Sequence, residues 1–404
     1  MVVGGGISGS AFAAVLARKG MDVTVLERQR AYRDRVRGEY MSAWGVEEAL
    51  KLGLCETLVE AGGHFAARSI PFDETIPPAQ ALAAARDLTQ ILPGVPGPLC
   101  ASHPLSCEAL ASAAASAGAT VLRGVNKVEV APGRQPRVSF DVDGERRDLN
   151  PKLIIGADGR TSAVRAQAGI PLQQSQVTHL VAGLLVDGVP DWPQDAYSIG
   201  TEGDRMFFVF PQGGERVRLY FCTAPDQRQR FAGPLGVSRF LDDFHLNCVP
   251  NSDNLARATP IGPCATLTGE DTWTDEPFVE GVVLLGDAAG YNDPIIGQGL
   301  ALAMRDVRVL SELLLGSHDW SPRALRPYAE ERFERMRRVR FTATVMTDLF
   351  SRFGPEHSQR RARFFGKMRN GDPDALMLLA PLQAGPDRLP PKAFTPELRD
   401  QVLN

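Results

Sequence analysis

Glycine clusters around a single acid in the stretch GDAAGYNDPIIGQGLALAMRD, residues 286–306. A turn needs about one glycine. Gly286, Gly290, Gly297 and Gly299 near Asp287 suit a backbone that must approach a group that is not protein. The chain opens on a second such place, MVVGGGISGSAFAAVLARKGMDVTVLER, where Gly4-x-Gly6-x-x-Gly9 follows an apolar strand and starts a helix. Gly4 permits the tight turn, Gly6 lets a pyrophosphate reach the backbone, and Gly9 lets helix and strand pack closely. The free N–H groups at that helix start, those of Ile7 and Ser8 among them, and the helix dipole suit phosphate. Glu27 ends the next strand, with Arg28 beside it, and its carboxylate can accept both hydroxyls of a ribose. Strand, spacing, helix and acid together predict a dinucleotide site; the bland alternative is a glycine-rich turn with an exposed glutamate.

The elements that must position these residues follow from periodicity. Residues 1–27 read as a βαβ start: Ile7, Ala11, Ala14 and Val15 give a small apolar helix side, Gly20 a stop, and Val23 and Val25 an alternating strand. Residues 68–104 are rich in proline and alanine and read as a long loop with one short helix. A helix from about 106 to 117 follows, then short strands near 120–122, 127–130, 138–142 and 152–155, the last entering GADGRTSAVR. From about 175 to 270 the pattern is β-rich, with a hairpin MFFVFPQGGERVRLYFCTA turning at Gly213-Gly214. Beyond Pro322, Leu325, Tyr328, Met336, Val339, Ala343, Met346 and Phe350 form a helical stripe ending before Gly354-Pro355. The basic cluster Arg332, Arg335, Arg337, Arg338 and Arg340 is interleaved with Glu330, Glu331 and Glu334, which reads as a solvated face.

With 404 residues, 44% hydrophobic and 23% charged, the chain reads as an ordinary globular protein of two or three domains. A net charge of -4 gives no general pull toward nucleic acid or an anionic membrane. Neither a membrane span nor a signal peptide is indicated, so the expected place is the cytoplasm and the expected partners are small molecules. The six cysteines lie far apart, with no CxxC pair and no metal-ligand spacing, which predicts reduced, mostly buried thiols and no metal.

Taken in order, GxGxxG with Glu27, Arg37-Gly38-Glu39, Gly156-Ala157-Asp158-Gly159 with Ser162, Val164 and Arg165, and Gly286-Asp287…Pro294…Gly297-Gln298-Gly299 resemble the single-component FAD-dependent aromatic hydroxylases, of para-hydroxybenzoate hydroxylase-like fold. The resemblance implies an α/β protein: a Rossmann-type FAD-binding domain in two parts, 1–170 and 271–320, an inserted β-rich substrate domain, 171–270, and a helical C-terminal region, 321–404. It implies that Asp287 receives the ribityl hydroxyls of FAD while Gly286 lets the backbone pass the pyrophosphate. Pro294 would shape the loop where oxygen adds, and the helix start Gly297–Leu300 would turn its amides to the pyrimidine side of the flavin. Arg37 and His103 would approach the cofactor, Asp158 would hold Arg165 or another cation, and Arg160 could meet the phosphates of NAD(P)H, which must dock transiently because no second fingerprint exists. Departures stand out at three positions: this family often has histidine where Gly290 stands, asparagine where Ala301 stands and, near the flavin, arginine where His103 fits best.

The implied activity is monooxygenation: NAD(P)H reduces the flavin, O2 adds at its C4a carbon, and the terminal hydroperoxide oxygen passes to an apolar or aromatic substrate. The protein is expected as a monomer or homodimer. Substrate is expected between the β-rich domain and the flavin, against Phe207 or Phe208, Phe210, Arg218, Tyr220 and Trp273, with alternation admitting one face of each strand. The same scaffold hosts prenyl-chain reductases, halogenases and two-component epoxidases, and a non-catalytic FAD-binding sensor is a further alternative. The tryptophan-rich motif of halogenases is missing, since Trp44, Trp192, Trp273 and Trp320 are isolated.

Overall fold

Short apolar runs, each ended by a glycine turn, build a six-stranded sheet in the computed structural model, which describes residues 1–404. Val2–Val3 lies inside it, parallel to Thr24–Glu27 on one side and to Ile154–Gly156 on the other. Thr120–Arg123 extends the first side and Val282–Leu284 the second, both parallel, and Phe278–Val279 closes the edge antiparallel. Strands covered on both faces need continuous apolar runs, and these have them. Parallel neighbours finish at the same edge. The segments that follow Val3, Gly156 and Leu284 therefore emerge side by side, although the sequence separates them widely.

The β-rich part is a second sheet of eight strands. His179–Asp187, Val217–Thr223, Arg205–Pro211 and Ala196–Glu202 are antiparallel neighbours, and Gly213 and Gly214 turn the hairpin with φ of 81° and 62°. Alternation splits its aromatic residues between two cores. Phe207, Leu219 and Phe221 pack against the helix Gly236–Asp242, whereas Phe208, Phe210 and Tyr220 face the first domain.

The long loop expected at 68–104 is only partly a loop. Arg68–Asp73 pairs parallel with Ala196–Glu202, so a segment outside 171–270 belongs to the second sheet. Pro71 hid it: proline demotes a strand reading, yet it is tolerated here because the outer edge is paired only at Arg68 and Ser69. The helix expected from 106 begins at His103, with Pro104 in its first turn, where a missing N–H costs nothing.

The C-terminal stripe is buried as its spacing predicts, in the helix Pro322–Phe350. The solvated reading of its basic cluster is wrong in part. Arg332 is 2% and Arg335 1% exposed, and both pair with Asp306, which is fully buried on the helix Gly299–Leu315. Arg337 and Arg338 do pair with Glu334 nearer the surface.

Candidate functional site

One cavity of about 650 Å³ runs from the shared edge of the parallel sheet to the inner face of the second sheet. That volume lies in the range of small-molecule and cofactor sites, and the place is where open parallel sheets bind ligands.

At the first turn the glycines have separate jobs. Gly4 has φ of 104° and a Cβ there would lie 2.4 Å from the Ala157 carbonyl oxygen; at Gly9 it would lie 1.9 Å from the Gly4 oxygen. These two allow turn, helix and neighbouring strand to touch. Gly6 meets nothing within 4 Å and faces the cavity. The helix start has no side-chain cap, and its first amide bonded within the helix is that of Ser10, so the amides of Ile7, Ser8 and Gly9 remain open to a ligand. Glu27 is clasped from both sides: Gly5 N donates to Oε2 at 2.8 Å and Gln29 N to Oε1 at 2.6 Å. It keeps lone pairs for a ribose, and the extra glycine at position 5 is explained by the Glu27 Cβ only 2.8 Å from where a side chain would start. Arg28 is exposed at the cavity mouth.

Asp287 lies beside this turn at the cavity wall, 3.5 Å from Arg160. Gly286 does not line the cavity. Its φ of 61° and the Ser8 hydroxyl, 2.5 Å from a would-be Cβ, require glycine, and its N–H is held by Asp306 Oδ2 at 2.9 Å. Arg332 donates to the carbonyls of Gly286 and Gly290, so the Asp306–Arg332 pair clamps the whole turn. A side chain at Gly290 would strike the Thr272 carbonyl at 2.4 Å, so the histidine of the resemblance cannot stand there in place; Ala301 packs on Gly45, which must stay glycine because its own Cβ would lie 2.5 Å from that of Ala301.

Pro294 lines the cavity in a single 3₁₀ turn, capped by Asp293 and ended by Gly297 with φ of 60°. The left-handed conformation belongs to Gly297, whereas Gly299 is an ordinary first helical residue with open space within 4 Å of its Cβ position. The first amide bonded within this helix is that of Leu302, to Gln298 O, which leaves those of Gly299, Leu300 and Ala301 unpaired at the helix start. The Gln298 side chain is fully committed: Oε1 accepts from Trp44 Nε1 at 2.6 Å and Ser42 Oγ at 3.1 Å, and Nε2 donates to the carbonyls of Ile296 and Leu382. Its amide thus positions the loop, while the residue itself lines the cavity.

Asp158 does not hold Arg165. Its oxygens accept from the Ser162 hydroxyl at 2.5 Å and the amides of Ala163 and Val164, capping the helix Ala163–Gln167, while Arg165 binds the carbonyls of Arg160 and Ala288. Arg160 lies over the Tyr291 ring at 4.4 Å. Arg37 lines the cavity and its guanidinium has no ion pair; burial and the nearby Arg160 lower its pKa. His103 packs on Gly38, its Nδ1 buried without a partner, and burial followed by Arg37 and Arg35 pushes it down to about 4. It is neutral at neutral pH.

The inner wall comes from the second sheet. Phe208, Phe210 and Tyr220 line the cavity, with Phe208 and Phe210 stacked at 5.6 Å. Arg218 does not. It is 1% exposed on the same strand face as Tyr220, and its Nη2 meets Asp34 at 2.6 Å and Glu39 at 3.2 Å, while Glu39 accepts the Tyr220 hydroxyl at 2.6 Å. Phe207 belongs to the other core, and Trp273 lies under Arg340 away from the cavity. Sequence reasoning missed Tyr40 and Tyr197, whose rings meet at 5.2 Å, and Gln383, whose Nε2 donates to Tyr40 at 2.6 Å and Tyr197 at 3.2 Å. No local pattern marks these residues, which lie on three distant segments.

The FAD binding domain family matches residues 1–342. Among curated relatives, 3-amino-4-hydroxybenzoate 2-monooxygenase of Streptomyces cremeus is 28% identical over 373 residues, 90% of either chain. Among solved structures, p-nitrophenol 4-monooxygenase from Pseudomonas putida DLL-E4 superposes with a TM-score of 0.80 at 18% identity, over 96% of this chain and 98% of that one. The flavin-dependent halogenase CmlS gives 0.76 at 17% identity, over 99% and 75%; these two likenesses show the shared fold. The open amides, the space beside Gly6 and Gly299 and the unpaired Arg37 fit FAD.

Proposed function

Since the chain belongs to the FAD binding domain family, we propose that its geometry serves an FAD-dependent monooxygenase that takes electrons from NAD(P)H and inserts one atom of O2 into an apolar or aromatic small molecule. FAD supplies the redox and oxygen-activating chemistry. The protein binds its diphosphate with the amides at Ile7–Gly9, its ribityl chain with Asp287 and its ring edge with the helix start at Gly299. Phe208, Phe210 and Tyr220 seat the substrate and keep water out, which favours oxygen transfer over loss of peroxide.

The observation that carries this reading is the single cavity joining the glycine turn, the Asp287 loop and an aromatic wall. NAD(P)H oxidation by the FAD-loaded protein should rise with aromatic compounds, and ¹⁸O2 should label the product in one atom. Labelling from water, or oxidation that no aromatic compound stimulates, overturns it. No helix is long and apolar enough to cross a membrane.

A further inference from the structure

The charges around the cavity are divided unevenly. Its cations, Arg28, Arg33, Arg35, Arg37, Lys127 and Arg160, all come from segments beside the glycine turn and the Asp158 loop. Arg37 acts on Arg160 and Asp287 and also on Glu39, whose Oε1 accepts its backbone N–H at 2.9 Å, so it stands between that end and the second sheet, while Arg35 acts on His103 and Cys107. The second sheet contributes Val181, Tyr197, Ile199, Phe208, Phe210, Tyr220 and Leu267 to the lining, and the C-terminal region Met346, Leu382 and Gln383. None is charged. The cation of this sheet face, Arg218, lies outside the lining and is already shared by Asp34 and Glu39. Glu39 lines the cavity as an acid that burial raises, with Arg218 and the Tyr220 hydroxyl countering in part. A carboxylate brought against this wall would lose its hydration and face Glu39, and the nearest cation without a partner, Arg37, is the one this reading gives to FAD, so the charged group is disfavoured there.

Polar capacity at this end comes from one cluster. Gln383 Nε2 gives a hydrogen bond to each of Tyr40 and Tyr197, and Gln383 Oε1 accepts from Ala43 N at 3.2 Å. Burial, then the Tyr197 hydroxyl, pushes the Tyr40 phenol well above its usual range, so it keeps its proton. The two phenols hold two protons between them, and a bond from one to the other uses one. The second is available to an acceptor in the cavity. Gln383 lies beyond the family-matched residues 1–342.

Resting on the monooxygenase reading, we propose that the substrate is an uncharged aromatic compound whose acceptor oxygen, a ketone or phenol, is held by the Tyr40–Tyr197–Gln383 cluster, and that aromatic carboxylates are rejected. This sets the chain apart from the relative named for a hydroxybenzoate. The test titrates the FAD-loaded protein with 4-hydroxyacetophenone and with 4-hydroxybenzoate, which match in shape and differ in charge, and follows the flavin absorbance. The ketone should bind at least about tenfold more tightly. Removing both phenol hydroxyls (Tyr40→Phe with Tyr197→Phe) should weaken ketone binding by roughly tenfold while FAD affinity stays unchanged, and Gln383→Leu should act in the same direction. Equal binding, tighter binding of the carboxylate, no binding of either by FAD-loaded protein, or a double variant that binds the ketone as the parent does overturns the assignment. Failure to take up FAD at all would instead sink the monooxygenase reading.

Discussion

Gly6 and Gly9 lie one helical turn apart and answer to different masters. At Gly9 a Cβ would be driven into the Gly4 carbonyl at 1.9 Å, so Gly9→Ala should destabilise the apoprotein by on the order of 3 kcal/mol. Gly6 meets nothing, and its φ of -71° suits any residue. Gly6→Ala should leave urea unfolding of the apoprotein within about 0.5 kcal/mol of the parent, yet weaken FAD binding because the methyl occupies the approach of the diphosphate. Equal loss of stability in both variants would refute this division. Asp287→Ala removes a charged acceptor from the cavity wall, and about 2–3 kcal/mol of FAD affinity should go with it; flavin fluorescence on titration measures the change.

Two helices hold the turn that carries Asp287. Asp306 comes from the helix Gly299–Leu315, Arg332 and Arg335 from the helix Pro322–Phe350, and together they reach Gly286 and Gly290. Burial alone would raise the Asp306 carboxyl, but Arg332 and Arg335 hold it below the usual carboxylate range. Its folded pKa is thus below the unfolded one, so its contribution is present above about pH 4 and lost as pH falls further. Asp306→Ala leaves buried Arg332 with no acid and Arg335 with Glu331 alone, and should cost about 3–5 kcal/mol in urea unfolding at neutral pH. Because the Gly286 amide loses its acceptor as well, FAD should dissociate faster from the variant. A stable variant with the parent's FAD off-rate would show that the clamp is ornamental to the turn.

At the scale of the whole molecule, the C-terminal region is fastened to the second sheet: Arg361, fully buried, meets Asp73 of that sheet at 2.9 Å. Beneath the Pro294 loop the inserted sheet and the first domain share a second cluster. Asp271 Oδ1 accepts from the Asp293 amide at 2.9 Å, Asp293 meets His179 at 3.0 Å, and burial, with the neighbouring Asp293, pushes Asp271 up to about 7. An acid raised on folding binds a proton more readily in the native state. Stability from this group is therefore full below about pH 4 and declines as pH rises toward 7. Asp271→Asn, neutral at every pH, should abolish that decline, so the parent and variant melting curves should diverge between pH 4 and 7, with the variant relatively more stable at 7. Parallel curves across that window would remove Asp271 from the account.

By itself the sequence determined the βαβ start, the hairpin at Gly213-Gly214, the stripe of the long helix and the three glycine-bearing turns, because each depends on local φ requirements or on a repeat of two or 3.6 residues. It also marked Asp287 and one aromatic strand face. Other features were decided only by the tertiary structure. Arg68–Asp73 became a strand by pairing parallel with residues far along the chain, against the local reading of its proline. Asp306, Arg332 and Arg335 carry the same letters that a solvated helix face would, and only the packing of two helices buries them as a clamp. Arg218 shares the strand face of Tyr220 yet stays out of the cavity because Asp34 and Glu39 hold its guanidinium, and Gln383 reached Tyr40 and Tyr197 because the chain folds back over both sheets. Charge pairing and burial are set by neighbours in space, and local periodicity holds no record of which neighbours those will be.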